Sequence, residues 1–174
     1  MYKVNEMVLY GNEGVCQIVD MMTRSFKGKE IEYYVLKPVY AKGSTVYVPV
    51  DNQELLMKMK KILSVEEIMS LLHNMSEELL PWIQNDNIRK EKYRDILKNG
   101  TRQDLIQLIR TLYLHQQELK ALGKKFHATD EKILNEAEKI LHHEFAYVLN
   151  IELDEVVPFI CKEIDVEERK KTFL

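Results

Sequence analysis

The sequence is poor in cysteine and in long apolar runs, and charge of neither sign is in large excess. Its two cysteines, Cys16 and Cys161, are too few for a disulfide framework or a four-ligand zinc site. No stretch approaches the roughly 18 apolar residues of a membrane-spanning helix, and the first residues lack the apolar core of a signal peptide. We therefore expect a reduced, cytoplasmic protein that contacts no membrane.

Patterns typical of catalysis are also missing. The sequence has no glycine-rich phosphate loop, no nucleophile elbow and no cysteine and histidine set at metal-ligand spacing. His142 and His143 are adjacent, so on a helix their side chains point about 100° apart and cannot easily share a metal ion. We expect no enzyme activity, no cofactor and no metal site.

What is present is a folded chain with two different periodicities. The 174 residues are 45% hydrophobic and 30% charged, enough for one ordinary domain or two small ones. Short segments rich in valine and tyrosine, separated by turn residues, predict five meander-linked strands. They cover Met7 to Tyr10, Val15 to Phe26, Ile31 to Lys37, Thr45 to Val48 and Leu55 to Ile62. Strands this short predict a small, strongly bent sheet or a partial barrel.

After Ile62 the apolar period becomes helical. Capping patterns and apolar residues at three- and four-residue spacing predict a series of helices. They cover Ser64 to Asn74, Asp86 to Lys98, Thr101 to Gly123, Thr129 to Leu149 and Asp154 to Glu163. The apolar residues that recur at this spacing in the third helix are Leu105, Leu108, Ile109, Leu112 and Leu119. Those predicted to point inward from the fourth are Ile133, Ala137, Ile140, Leu141 and Phe145. The sequence predicts an α+β protein, with a β-rich domain at 1–62 and an all-α helical bundle domain at 63–174.

The net charge of −3 conceals a segregation along the chain. Residues 82–125 carry 10 basic and 5 acidic side chains, whereas residues 126–174 carry 6 and 12. One interpretation is a solvated basic helix face balanced by acidic helices. The other is a phosphate-binding surface, because clustered Lys and Arg displace counterions from a nucleic-acid backbone.

The single tryptophan, Trp82, lies at the edge of this basic block. Pro81 breaks the preceding helix, so Trp82 is predicted in or beside a loop. It either packs in the core at the junction of the two domains or forms an aromatic wedge that inserts at a base step. With so few cations, DNA affinity would be weak and largely sequence-tolerant, and a second anchor would be needed.

The β-rich domain can supply that anchor. A small sheet with a free edge can accept a strand from a partner protein. Tyrosines are typical anchor residues at interfaces, although each can equally pack on a half-buried sheet. The candidates are Tyr33, Tyr34, Tyr40 and Tyr47.

Several segments of the chain together form a recognisable family pattern. In the first half they are Tyr2 to Tyr10, Gly14-Val15-Cys16, Lys27-Gly28, Glu32-Tyr33-Tyr34-Val35-Leu36 and Val46-Tyr47-Val48-Pro49-Val50. In the second half they are Trp82, Arg89, Lys98-Asn99-Gly100 and Ile109-Arg110-Thr111-Leu112-Tyr113. In this order they resemble the CarD/CdnL family of bacterial transcription regulators, whose N-terminal module also occurs as the polymerase-interacting domain of transcription-repair coupling factor. The resemblance covers roughly residues 2–150.

The resemblance implies a Tudor-like N-terminal domain that binds the RNA polymerase β subunit and a helical domain that contacts promoter DNA. Trp82 would wedge into the minor groove at the upstream edge of the transcription bubble and stabilise the open complex. The residues implied for polymerase contact are Arg24, Tyr47, Val46 and Pro49. Those implied for DNA contact are Trp82, Arg89, Lys90, Lys92 and Arg94. We expect the protein to act as a monomer.

Two departures from the family pattern bear on these sites. Many relatives have an arginine where this chain has Tyr47, so stacking or hydrogen bonding would replace a charge contact. Relatives often have basic residues almost directly after the tryptophan, whereas residues 83–87 carry none here. A protein-interaction adaptor that does not bind DNA is the alternative function, and an enzyme of unknown type is a distant third.

Overall fold

The computed structural model describes residues 2–75 and 78–163. The chain divides between Leu63 and Ser64 into two compact units, a β-rich one and a helical one. The α+β class predicted from the sequence is confirmed. Residues 164–174 of the predicted helical domain lie outside the described residues.

The N-terminal unit is an open antiparallel sheet. Its strands are β1 (Met7–Tyr10), β2 (Val15–Phe26), β3 (Lys29–Pro38), β4 (Val46–Pro49) and β5 (Met59–Lys61), in the order β4-β3-β2-β1-β5. Lys27 and Gly28 connect β2 to β3 with positive φ angles of 50° and 76°, the geometry that suits the twist of a tight hairpin. The register between β2 and β3 shifts at Ile18 and Asp20, an irregularity that increases twist and bending.

One face of this sheet forms the core of the unit. Its fully or nearly fully buried members are Val8, Cys16, Ile18, Tyr34, Leu36, Val48 and Met59. The Tyr2 hydroxyl donates a hydrogen bond of 2.8 Å to the carbonyl oxygen of Met59, which ties the start of the chain to β5.

The predicted strand from Leu55 to Ile62 is wrong in its first half. A short helix, α1 (Gln53–Leu56), forms there because the Asn52 side chain accepts a hydrogen bond of 3.1 Å from the Leu55 N–H and caps it. The predicted meander order is also wrong at this point. The strand β5 pairs with β1, at the opposite edge of the sheet from β4.

The helical unit contains α2 (Val65–His73), α3 (Asp86–Asn99), α4 (Arg102–Ala121) and α5 (Ala128–Leu149). A 3₁₀ turn at Leu153–Glu155 leads into a further helix over 156–163. Capping boxes at Ser64 and Thr101 start α2 and α4, as predicted. The predicted start of α5 at Thr129 is late, because His127 caps this helix by accepting a hydrogen bond from the Thr129 N–H.

The core of the helical unit comes from all four of these helices. Its large buried side chains include Ile68, Tyr93, Leu97, Leu105, Leu108, Leu112, Ile133, Ile140, Leu141 and Phe145. Ile109 and Leu119, two of the apolar residues at helical spacing in α4, are only half-buried. Within the described residues, every helix is too short or too polar to cross a lipid bilayer.

Candidate functional site

The edge strand β4 and its neighbours carry the first set of candidate residues. The Arg24 guanidinium on β2 lies 4.4 Å from the centre of the Tyr47 ring on β4, so the two side chains meet across β3. Arg24 is exposed and Tyr47 is 42% exposed. They form one solvent-facing cation–π platform at the edge of the sheet, which is worth about 0.5–1 kcal/mol at an exposed site.

Side chains alternate between the two faces of β4, so neighbouring residues of this strand have different roles. Val46 packs against the sheet core and Val48 is fully buried, whereas Tyr47 points to the opposite face. The Val50 N–H donates to the Glu32 carbonyl, and hydrogen-bonded pairs alternate along an antiparallel ladder. The backbone N–H and C=O of Tyr47 are therefore directed away from β3, toward the outer edge.

The second candidate region is the segment that carries Trp82 between α2 and α3. It lies outside both helices, as predicted. The Leu80 N–H donates to the Thr111 hydroxyl on α4 at 2.9 Å. At the other end, the Asn85 side chain accepts hydrogen bonds from the first turn of α3 and caps that helix. The loop is thus fixed on both sides of Trp82.

The Trp82 ring is half-buried and is held by two charged or titratable neighbours. It stacks on the imidazole of His115 from α4, with ring centres 3.7 Å apart and planes inclined by 30°. The Arg89 guanidinium lies 4.6 Å from the centre of the indole ring. Trp82 is accordingly neither a fully buried core residue nor a freely rotating surface side chain.

Arg89 is buried, with only 3% of its surface exposed. Its Nε and Nη2 donate to the two carboxylate oxygens of Asp130 at 3.0 and 2.7 Å. Its Nη1 donates to the carbonyl oxygen of Ile83 at 2.8 Å, and Nη2 also lies 2.8 Å from Asp86. The hydrogen bonds to Asp130 are the main cause that raises the pKa of Arg89. A direct contact of Arg89 with phosphate would require this arrangement to break, and the DNA contact expected of Arg89 stays a prediction.

His115, Asp130 and Lys125 are among the residues of this site that were not predicted from the sequence. They line a cavity of about 480 Å³ together with Trp82 and Arg89. No spacing in the sequence could bring them together, because they come from α4, α5 and the connection between those helices. From the sequence alone, Asp130 is an acidic residue in the first turn of a helix, a position that predicts exposure to solvent.

The predicted cations on α3 do not share one face. Lys90, Arg94 and Lys98 recur at four-residue spacing and therefore form a row along the helix. At about 100° per residue, Lys92 lies about 160° around the helix from both Lys90 and Arg94. Lys92 and Arg94 are exposed, and Lys90 is half-buried.

The described residues contain no group of three or more His, Cys, Asp and Glu side chains placed to hold a metal ion. Cys16 is buried in the sheet core, and burial raises the pKa of its thiol to about 12. It is therefore protonated at neutral pH and is a packing residue.

Comparison with known protein families matches both units. The CarD-like/TRCF RID domain matches residues 2–63. The CarD C-terminal domain matches residues 67–160. The two matches fall on either side of the division between the β-rich and the helical unit.

Proposed function

The chain belongs to the CarD family of transcription-associated regulators that interact with RNA polymerase, and we propose that it binds the polymerase β subunit and contacts promoter DNA. It acts in the cytoplasm as a monomer, without enzymatic activity, and stabilises the open promoter complex. The observation that carries the proposal is the braced, half-buried Trp82 within the unit that matches the CarD C-terminal domain.

The polymerase contact lies at β4. The outward backbone groups of Tyr47 can pair with a strand of the β subunit, and main-chain hydrogen bonds of this kind give affinity without strict sequence demands. Tyr47 and Arg24 add a cation–π platform beside that strand. Val46 contributes through its backbone because its side chain packs on the core. Pro49 lacks an N–H and so limits the added pairing to a short stretch.

The DNA contact is made by Trp82 at the upstream edge of the bubble. Binding to polymerase raises the local concentration of a weak DNA-binding surface, so modest contacts become effective at one place. An indole ring that stacks on unstacked bases has a better partner in opened DNA than in closed duplex. That difference in affinity shifts the equilibrium toward the open complex.

Cations on α3 hold the DNA backbone in this proposal, and the row formed by Lys90, Arg94 and Lys98 suits a backbone track better than Lys92 does. Arg94→Gln and Lys92→Gln are a matched pair, because each removes one charge from opposite sides of the same helix. We expect Arg94→Gln to reduce the slope of log affinity against log salt by about 1, with a smaller change for Lys92→Gln. A larger reduction of this slope in Lys92→Gln than in Arg94→Gln would place the DNA on the other side of α3.

Polymerase binding is tested with the purified full-length protein and RNA polymerase. Tyr47→Ala should weaken binding by about 2 kcal/mol, roughly thirtyfold in Kd, if Tyr47 is an interface hot spot. Lys61→Ala, on β5 at the opposite edge of the sheet, is the control and should bind normally. Equal binding by both variants would exclude the Tyr47 side chain as a hot spot of the polymerase contact.

The alternative is a polymerase-bound adaptor that does not contact DNA. The stacking of Trp82 on His115 supports this alternative, because internal packing of the indole ring would produce the same contact. Salt dependence separates the two functions: contacts with DNA phosphates weaken steeply as salt rises, whereas an adaptor that binds through a sheet edge responds much less.

A further inference from the structure

We infer that Arg89, Asp130 and His115 are positioning residues that hold the Trp82 indole in one orientation before DNA is bound. The inference rests on the proposed role of Trp82 at the opened promoter. It assigns Arg89 a role different from a phosphate contact. It also gives a role to His115 and Asp130, which were not among the predicted site residues.

Arg89 fixes the tryptophan through both its ring and its backbone. The guanidinium lies 4.6 Å from the centre of the indole ring, and its Nη1 donates at 2.8 Å to the carbonyl oxygen of Ile83, the next residue along the chain. Rotation of the loop at Trp82 would therefore have to break a hydrogen bond to a buried charged group, which is a strong interaction.

Asp130 fixes Arg89 in turn. Its carboxylate accepts two parallel hydrogen bonds, at 3.0 and 2.7 Å, and both partners are almost fully buried. A bidentate pair of this kind sets the plane of the guanidinium as well as its position. Buried ion pairs add little net stability compared with apolar packing, so geometry is the property that this pair supplies to its surroundings.

His115 fixes the plane of the indole ring. At a ring separation of 3.7 Å the imidazole is in van der Waals contact with it. The side chains that hold Trp82 thus come from three helices: Arg89 from α3, His115 from α4 and Asp130 from α5. An indole held in this way loses less conformational entropy when it stacks on a base, and such preorganisation increases affinity without a new contact.

The test uses the full chain, in which Trp82 is the single tryptophan and therefore reports its own order. Arg89→Lys keeps the charge but removes the planar fork, and His115→Ala removes the stacking partner. Arg102→Lys is the matched control. It makes the same change in another bidentate ion pair of the unit, between the partly buried Arg102 and the buried Glu144, and neither of those residues lines the Trp82 cavity.

We expect Arg89→Lys and His115→Ala to lower the fluorescence anisotropy of the indole and to weaken its near-ultraviolet circular dichroism. Both should also shorten the lifetime of the open complex, toward the value found with Trp82→Ala. Arg102→Lys should change neither readout, although it also removes the planar fork of a bidentate ion pair. In a Trp82→Ala background, Arg89→Lys and His115→Ala should cause no further loss of lifetime, because residues that act through Trp82 are not additive with it.

Three results would overturn the inference. If the anisotropy is unchanged in Arg89→Lys and His115→Ala, these residues do not order the ring. If either variant lengthens the lifetime, the contacts restrain Trp82 instead of presenting it. If Trp82→Ala itself leaves the lifetime unchanged, the proposed function fails as well, and this separates the failure of the function from a failure of positioning alone.

Discussion

Replacing Asp130 with alanine should destabilise the helical unit far more than replacing Asp86 with alanine, although both carboxylates contact the same arginine. The Nη2 of Arg89 lies 2.7 Å from Asp130 and 2.8 Å from Asp86. The two carboxylates differ in burial, because the side chain of Asp130 is 3% exposed and that of Asp86 is 62% exposed. Comparing the two variants therefore isolates the effect of carboxylate burial, because the distance to Arg89 is nearly the same in both pairs.

The expected magnitudes follow from that difference. Removing one partner of a buried pair leaves an uncompensated buried charge and costs about 3–5 kcal/mol. We expect about 3 kcal/mol for Asp130→Ala, because Arg89 keeps its contacts with Ile83 and Asp86. An exposed pair contributes about 0–1 kcal/mol, so Asp86→Ala should cost no more than about 1 kcal/mol.

Urea unfolding measures both values. Far-ultraviolet circular dichroism follows the helices, and Trp82 fluorescence follows the same unit independently. With a urea m value of about 2 kcal/mol/M, the unfolding midpoint should fall by about 1.5 M for Asp130→Ala and by less than about 0.5 M for Asp86→Ala. Similar small losses for both variants would refute the reasoning, since they would mean that water replaces Asp130 at Arg89.

Burial lowers the pKa of His142 and that of His143, which also has Lys139 nearby. A histidine in the unfolded chain has a pKa of about 6.5, so below that pH the unfolded chain binds more protons than the folded one. The melting temperature should therefore fall as pH is lowered from about 7 to 5. A Cβ at Gly100 would lie 2.5 Å from the carbonyl oxygen of the residue four positions earlier, so Gly100→Ala should lower the free energy of unfolding by about 1–3 kcal/mol. Since burial raises the pKa of Cys16 to about 12 and Cys161 is exposed, a thiol reagent at neutral pH should modify only Cys161 until the chain unfolds, as peptide mass mapping would show.

Local signals in the sequence were sufficient for most of the secondary structure. Short segments rich in valine and tyrosine between glycine turns predict β1 and β2 at their observed bounds, and capping patterns predict the starts of α2 and α4. The error at Leu55 arose because two local signals compete there, the alternation of residues 55–60 and the cap from Asn52. The place of β5 beside β1 depends on pairing between residues about 50 positions apart, which alternation within one segment cannot specify.

The candidate site divides in the same way. Pro81 predicts that Trp82 lies in a loop, which is a local effect. The burial of Arg89 is a tertiary effect, because its partner Asp130 is 41 residues further along the chain. A charged residue on an amphipathic helix normally faces solvent. Four-residue spacing aligns Arg89 with the buried Tyr93 and Leu97, but it does not reveal the partner that makes burial of a charge possible. The row formed by Lys90, Arg94 and Lys98 is visible from helical spacing alone once the helix is assigned.

The most direct test of the proposed function is the lifetime of open promoter complexes after addition of a polyanionic competitor. RNA polymerase would be saturated with the protein or with its Trp82→Ala variant, and equal retention on polymerase would be verified first. The account predicts that the protein prolongs the lifetime and that Trp82→Ala loses most of this effect while it still binds polymerase. An equal lifetime with the protein and with Trp82→Ala would contradict it, and the adaptor function would then be favoured.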